Sequence, residues 1–363
     1  MSQLNVKVFN MLSLLLTPVS FLWEWIYRLR RFAFKMGVFN SSKFEVPIIS
    51  IGNLSLGGTG KTPFTLWIGN YLNDSLEKKT MVLTRGYKGE LENSSGIIKT
   101  GKKISENPFV FGDEALVLSR NLKNASVVVG ADRRDNLRRY YEEEKADIVL
   151  LDDGFQHLKI ERDLNIVLFD SLLPISKYHC PPRGYLREGL SALKEADVVL
   201  FGRADLVDRS ELDELEKFVL THCKKDTPSG QFKYAPGAIR NLLHEEDIAL
   251  DELNGKNVIC VSGLASPQSF LKLVKQLNAN IVDDFNFPDH HLYKVNELES
   301  LVSLAEEKDA IILTTEKDIV KMKRCSSSER IHYLQIGIEF LKGEELVKQR
   351  IDSVIRDSRG QVE

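Results

Sequence analysis

The sequence predicts an α/β fold: a P-loop NTPase-like core with a mostly parallel sheet, an N-terminal amphipathic helix and a smaller C-terminal α/β domain. Three observations carry this expectation. From Phe44 onward, short β-rich runs alternate with helical patterns, as parallel strands joined by crossover helices require. The first such run leads into a glycine-rich loop, Ser55-Leu56-Gly57-Gly58-Thr59-Gly60-Lys61-Thr62, at the start of a helical pattern. The first forty residues have a different composition: 24 of the 40 are apolar, and five basic residues face one acid.

That N-terminal segment divides at Pro18. Its densest apolar stretch, residues 9–23, is too short for a spanning helix, which needs about 20 apolar residues. It follows Lys7 as a secretory signal would, but it leads into Trp-Glu-Trp-Ile-Tyr-Arg rather than a small-residue cleavage site. After Pro18, Phe21, Trp25, Leu29, Phe32 and Met36 recur at helical spacing, and Glu24, Arg28, Arg31 and Lys35 share another face. A basic, aromatic-rich amphipathic helix fits a membrane interface; it also fits an ordinary helix packed on its own domain.

The expected strands are 46–51, 80–83, 126–129, 148–151, 164–169 and 198–201, with helices opening near Lys61, Asp113, Arg133 and Ser210. Residues 226–249, with Thr-Pro-Ser-Gly and Ala-Pro-Gly, read as a crossing with extended segments of its own. A second α/β pattern follows: strands at 258–261, near Ile281 and at 311–314, helices at 269–276 and 295–307, and a closing helix at 344–355. The expected organisation is therefore an N-terminal helix (1–40), a core (41–225), a linker (226–255) and a C-terminal domain (256–363).

Composition excludes some function classes. The chain has 363 residues, with 49 basic against 52 acidic and a formal net charge of −3. A nucleic-acid binder normally carries a marked basic excess, so none is expected as a partner. The four cysteines, Cys180, Cys223, Cys260 and Cys325, are far apart, which gives neither a zinc site nor a disulfide framework.

The loop carries the strongest chemical signal. Gly57, Gly58, Thr59 and Gly60 let backbone N–H groups curl around phosphate oxygens. Lys61 is placed to reach the β- and γ-phosphates, and the Thr62 hydroxyl to meet Mg²⁺. Ser55 replaces the first glycine of the usual pattern, so this is a variant loop. The second signal is Ile148-Val149-Leu150-Leu151-Asp152-Asp153, an apolar strand ending in acids that would hold magnesium, extended by Gly154-Phe155-Gln156-His157.

Between them, Asp113 and Glu114 open a helix. Two acids there serve the helix dipole, or one accepts the proton of an acceptor hydroxyl; residue type alone leaves both open. Arg133 and Arg134 similarly read as a phosphate clamp or a solvated helix start. Phe287-Pro288-Asp289-His290-His291-Leu292-Tyr293 reads as a surface turn or as a polar loop that orients a carboxylate. The guanine-recognition pattern N/T-K-x-D is replaced by Phe201-Gly202-Arg203-Ala204-Asp205, which disfavours GTP.

Together these segments resemble one family. Ile51-Gly52-Asn53 before the Gly-Gly-Thr-Gly-Lys-Thr-Pro string, Thr84-Arg85-Gly86-Tyr87, Gly112-Asp113-Glu114, Asp152 through His157, Gly184-Tyr185-Leu186-Arg187-Glu188 and Phe287 through His291 look like the tetraacyldisaccharide 4′-kinase family, the lipid A 4′-kinases of Gram-negative bacteria. The resemblance spans about residues 10 to 330. It implies ATP as phosphate donor, Mg²⁺ as cofactor and a lipid A disaccharide 1-phosphate precursor as acceptor. It also implies work at the cytoplasmic face of the inner membrane, with residues 1–40 at the interface. In family terms Lys61 binds phosphates, Thr62, Asp152 and Asp153 serve the metal, and Asp113 is the acceptor-side base. Glu114, Arg133, Gln156 and His157 contact phosphate or substrate, and His290 rather than His291 orients Asp113. Arg183 and Tyr185 depart from the family's Pro-Ala-Gly-Pro-Leu-Arg-Glu-like segment.

Overall fold

A computed structural model describes residues 17–101, 107–244, 246–264 and 266–359. Residues 9–16 of the apolar run lie outside these. In chain order the elements begin with α1 (Thr17–Lys35), β1 (Ile48–Asn53), α2 (Lys61–Asn70), β2 (Thr80–Thr84), β3 (Gly96–Lys99), α3 (Asp113–Asn121), β4 (Ala125–Val129) and α4 (Arg133–Glu144). They continue with β5 (Ile148–Asp152), β6 (Leu164–Asp170), β7 (Val198–Gly202), α5 (Arg209–Leu220), β8 (Ser229–Asn241), β9 (Asp247–Ile248), β10 (Asn257–Ser262) and α6 (Pro267–Gln276). The last are β11 (Asn280–Asn286), α7 (Val295–Glu307), β12 (Ile311–Thr315), α8 (Glu316–Met322), β13 (Ile331–Lys342) and α9 (Glu344–Arg359); short helical turns lie between some of these.

Contacts divide the chain into two units that interleave along the sequence. One holds the described parts of 1–61, 146–233 and 340–363; the other holds those of 62–145 and 234–339. The stretch expected to be a crossing carries β8, a strand of 13 residues.

In the first unit the strands run in the order β8, β7, β6, β1, β5, every neighbouring pair parallel. Strands β1, β5 and β7 are buried along their whole length, which explains why they read as continuous apolar runs rather than alternating ones. Their register sets Ile51 beside Asp152, so the glycine-rich loop and the acidic turn leave from the same end of adjacent strands. Leu54, Phe155, Phe169, Phe201 and Leu212 are among the residues of the buried core on this side.

Helix α1 lies on this unit in an unexpected way. Its polar face is turned inward: Arg31 reaches Glu188 and Glu195, the Arg28 Nε donates to Ser191 at 3.0 Å, and the Trp23 indole donates to the Arg187 carbonyl at 3.0 Å. Its apolar face is turned out, with Phe21, Trp25, Leu29 and Phe32 all exposed and Met36 beyond them exposed too. Among the described residues no helix is long and apolar enough to cross a membrane.

In the second unit β2 and β4 are parallel, and β3 joins β4 antiparallel. A further parallel set runs β11, β10, β12, β13, and β8 and β9 form a short antiparallel pair. Its core includes Ile239, Val258, Phe270, Val274 and Leu313. Helix starts are capped by nearby side chains: Asp132 accepts from the Asp135 amide, and Thr315 from that of Asp318.

One close approach in the first unit yields a stability prediction. A Cβ on Gly52 would lie 2.6 Å from the Phe155 Cβ and 2.7 Å from its backbone nitrogen, and backbone cannot swing aside. Gly52→Ala is therefore expected to cost about 1–3 kcal/mol in urea denaturation. A neutral substitution would mean that the strand and the turn are less tightly apposed.

Candidate active site

The phosphate loop starts where β1 ends. Gly57 and Gly60 have φ of 111° and 85°, which L side chains rarely adopt, so this turn needs glycine at both positions. Residues 56–58 are exposed, whereas Thr59 and Gly60 are buried. The loop is braced from one side by the segment 185–187. Leu56 donates its amide to the Tyr185 carbonyl, and Arg187 donates its amide to the Leu54 carbonyl, each at 2.7 Å. Arg203 braces it from another: its guanidinium pairs with Asp170 and donates to the Gly58 carbonyl at 3.4 Å.

Lys61, at the loop's end, is held near two acceptors. Its Nζ lies 3.5 Å from Asn53 Oδ1 and 3.6 Å from Asp153 Oδ1. Asp153 sits in the left-handed region (φ 52°) just past β5, and both its oxygens accept from Arg187 Nη1, at 2.9 and 2.8 Å. Asp152, its neighbour, is buried at the strand end. The two acids are thus in different circumstances: Asp153 is engaged by two cations, and Asp152 closes the strand.

Gln156 braces this region from within. Its Nε2 donates to the Asn53 carbonyl at 2.8 Å and to Glu188 Oε1 at 2.9 Å. Glu188 in turn accepts a forked pair from Arg31, at 2.5 and 2.8 Å, and Arg31 stacks its guanidinium 4.7 Å over the Phe155 ring. Glu188 is buried and Arg31 is half-buried. His157 is half-buried in the next turn, and its carbonyl accepts from Arg162 at 3.1 Å.

The second unit holds a different cluster. Asp113 is the first residue of α3, and its Oδ1 accepts the Glu114 amide at 3.0 Å, which is the helix-start role expected of an acid there. Its Oδ2 does something more, meeting His290 Nδ1 at 3.0 Å. His290 occupies the left-handed region (φ 64°) in the loop before α7, with the Tyr87 ring edge-on to its imidazole at 5.4 Å. His291 is turned elsewhere and pairs with Glu297 at 3.1 Å.

Asp113 is buried, which by itself would raise its pKa. The hydrogen bond from His290 and the charges of Lys317, His290 and Lys321 outweigh that, and the carboxyl is held below its ordinary value. Asp113 is therefore an ionised acceptor at neutral pH. Glu114 is half-buried beside it, and Arg133 is buried at the first position of α4 in the same unit.

Several of these contributors were not singled out from sequence. Arg187 stands inside the Gly-Tyr-Leu-Arg-Glu segment, and Arg203 inside the stretch that argued against guanine. Lys317 and Lys321 lie on α8, where nothing local distinguishes them from solvated helix residues.

Residues 12–356 match the Tetraacyldisaccharide-1-P 4'-kinase (LpxK) family. The chain belongs to this family. It is 32% identical over 331 residues to a tetraacyldisaccharide 4'-kinase of Halothermothrix orenii, covering 87% of this chain and 85% of the relative. It is 32% identical over 361 residues to the enzyme of the same name from Chlorobium phaeobacteroides, covering 96% and 99%. A crystal structure of LpxK from Aquifex aeolicus in complex with ATP superposes with a TM-score of 0.77 at 29% identity, over 95% of this chain and 99% of that one. As a member of the LpxK family the chain is a kinase with an α/β fold.

The Arg31–Glu188 pair gives a testable energetic signature. Glu188→Ala removes one of the two carboxylates that pair with Arg31 and is expected to cost about 1–3 kcal/mol. The double variant Arg31→Met, Glu188→Leu removes both charges and is expected to cost less than Glu188→Ala alone. A chemical-denaturation cycle measures this; strictly additive costs would show that the two side chains act independently.

Proposed function

We propose that this chain transfers the γ-phosphate of ATP to the 4'-hydroxyl of a tetraacylated glucosamine disaccharide 1-phosphate, giving lipid IVA. The observation that carries the reading is the ionised Asp113 held by His290 in a chain that also carries a phosphate loop. Membership of the LpxK family supports the acceptor, and the ATP complex of the Aquifex relative supports the donor. Lys61 and the loop amides bind the β- and γ-phosphates. Phosphoryl transfer has a loose transition state, so positioning and charge compensation dominate, and the base accepts its proton late. An ionised carboxylate suffices for that, and Asp113 is the acceptor.

Magnesium is the expected cofactor. It usually takes one or two protein oxygens alongside substrate phosphates and waters, rather than a dedicated protein cage. Asp152, buried at the end of β5, and Asp153 just past it are the carboxylates expected to serve such an ion in the first unit, and Thr62, next in sequence to Lys61, is the hydroxyl that the loop pattern assigns to it. Among the described residues no group of three or more His, Cys, Asp or Glu is placed to hold a metal ion. When bound, magnesium supplies charge neutralisation on the phosphate oxygens.

The outward apolar face of α1 supports peripheral attachment to the cytoplasmic face of the inner membrane of a Gram-negative bacterium. A kinase acting on an acceptor whose acyl chains stay in the bilayer needs such a contact. Replacing Trp25 and Phe32 together with Asp is expected to abolish co-flotation with phospholipid vesicles while leaving ATP hydrolysis or binding intact. Unchanged flotation would remove α1 from the anchoring role.

The reaction itself is tested by incubating the purified full chain with γ-labelled ATP and the disaccharide 1-phosphate in detergent micelles. Label in the lipid at the 4'-position is expected, and Asp113→Ala is expected to lower kcat by about 10²–10⁴-fold. ATP hydrolysis without lipid labelling would favour an NTPase that switches a protein partner.

A further inference from the structure

The imidazole of His290 has two nitrogens, and orientation of Asp113 uses only one. The other, Nε2, lies 3.3 Å from Lys317 Nζ. An ammonium has three donors and no acceptor, so a nitrogen facing it within hydrogen-bonding distance presents its lone pair. The hydrogen of a neutral imidazole then sits on Nδ1, which meets Asp113 Oδ2 at 3.0 Å. One acid also approaches Nε2: Asp289 Oδ2 at 3.8 Å, beyond hydrogen-bond length. That carboxylate is itself tied to Lys317 through Oδ1 at 3.0 Å.

The ammonium is well supported as a cation. Its burial favours the neutral amine, but Asp113, Glu114 and Asp289 outweigh this and raise its pKa. The charged groups around this cluster are His290, Lys317 and Lys321 acting on Asp113, and Glu114 and Asp289 acting on Lys317. Lys321 Nζ lies 3.9 Å from Asp113 Oδ2 and 2.9 Å from Asp318 Oδ1. Tyr87 contributes its ring to His290.

We propose that Lys317 is a positioning residue for phosphoryl transfer: by donating to His290 Nε2 it fixes the tautomer whose Nδ1–H donates to Asp113. This rests on Asp113 being the base, as proposed above. In the reaction the acceptor oxygen bonds to the γ-phosphorus while the bond from that phosphorus to the β–γ bridging oxygen breaks. ADP leaves with the electron pair, and the hydroxyl proton goes to the Asp113 carboxylate.

The test compares the full-length chain with Lys317→Met and Lys317→Arg. In the wild type the acid limb of kcat/KM for the lipid acceptor belongs to the Asp113 carboxylate, which must be ionised to accept the proton. Losing the cation makes that carboxylate easier to protonate, so Lys317→Met is expected to move the limb up by about one pH unit. It should also lower kcat at neutral pH with KM for ATP unchanged. Lys317→Arg, still a donor-only cation, is expected to hold the limb in place. Independently of activity, ¹⁵N–¹H correlation of histidine-labelled protein, with His290 assigned by its loss in His290→Gln, should show Nδ1 protonated and Nε2 bare. An Nε2–H tautomer in the wild type overturns the proposal even if Lys317→Met fails to fold. An unmoved limb in Lys317→Met overturns it too, and a raised KM for the acceptor with an unmoved limb makes Lys317 a substrate contact instead. Full activity of Asp113→Asn would instead overturn the base assignment on which it rests.

Discussion

The first unit depends on the parallel register of β1 against β5. Because Ile51 stands beside Asp152, the glycine-rich loop and the Asp152–His157 turn emerge together at the carboxyl ends of their strands. That is where open α/β sheets place ligands. A one-residue slip would set the β5 side chains against the wrong buried neighbours and carry Asp152 and Asp153 away from Lys61. Fully buried strands make such a slip costly, so the apolar runs that build the sheet also fix the chemistry at its end.

Around that register a chain of polar contacts ties α1 to the loop. Arg31 holds Glu188, Glu188 accepts from Gln156, and Gln156 reaches the Asn53 carbonyl; next to Glu188, Arg187 grips Asp153, which faces Lys61. The helix that shows its apolar face outward is therefore fastened by its basic face to the residues that position the phosphate-binding lysine. Amphipathicity usually points the apolar side of a helix at the protein; here ion pairing supplies the attachment instead. In the second unit the same economy recurs on a smaller scale, with Asp113 serving the start of α3 through one oxygen and His290 through the other.

Much of this was legible in the sequence, for identifiable reasons. The buried parallel strands announce themselves as runs of Val, Ile and Leu, and the glycine-rich loop combines three physical requirements in eight residues. Helices α3 and α4 begin at the residues expected, Asp113 and Arg133. Strand β3 has four residues and α8 seven, too short for either period to register. Strand β13 alternates over Ile331–Lys342 but carries Gly337 and charges that blur the pattern. The site residues divide in the same way. Asp113 was visible as an acid at a helix start, but only the fold shows that its second oxygen has a partner. Lys317 and Arg203 gain their meaning from contacts across 27 and 145 residues of sequence, which no local pattern encodes.

Phosphate binding falls to Lys61 and the loop, and proton acceptance to Asp113. Calorimetric titration of ATP into the wild type, Lys61→Ala and Asp113→Ala tests that division most directly. Lys61→Ala is expected to lose most of its ATP affinity while Asp113→Ala binds ATP as the wild type does. Equal loss of ATP affinity in both variants would contradict it.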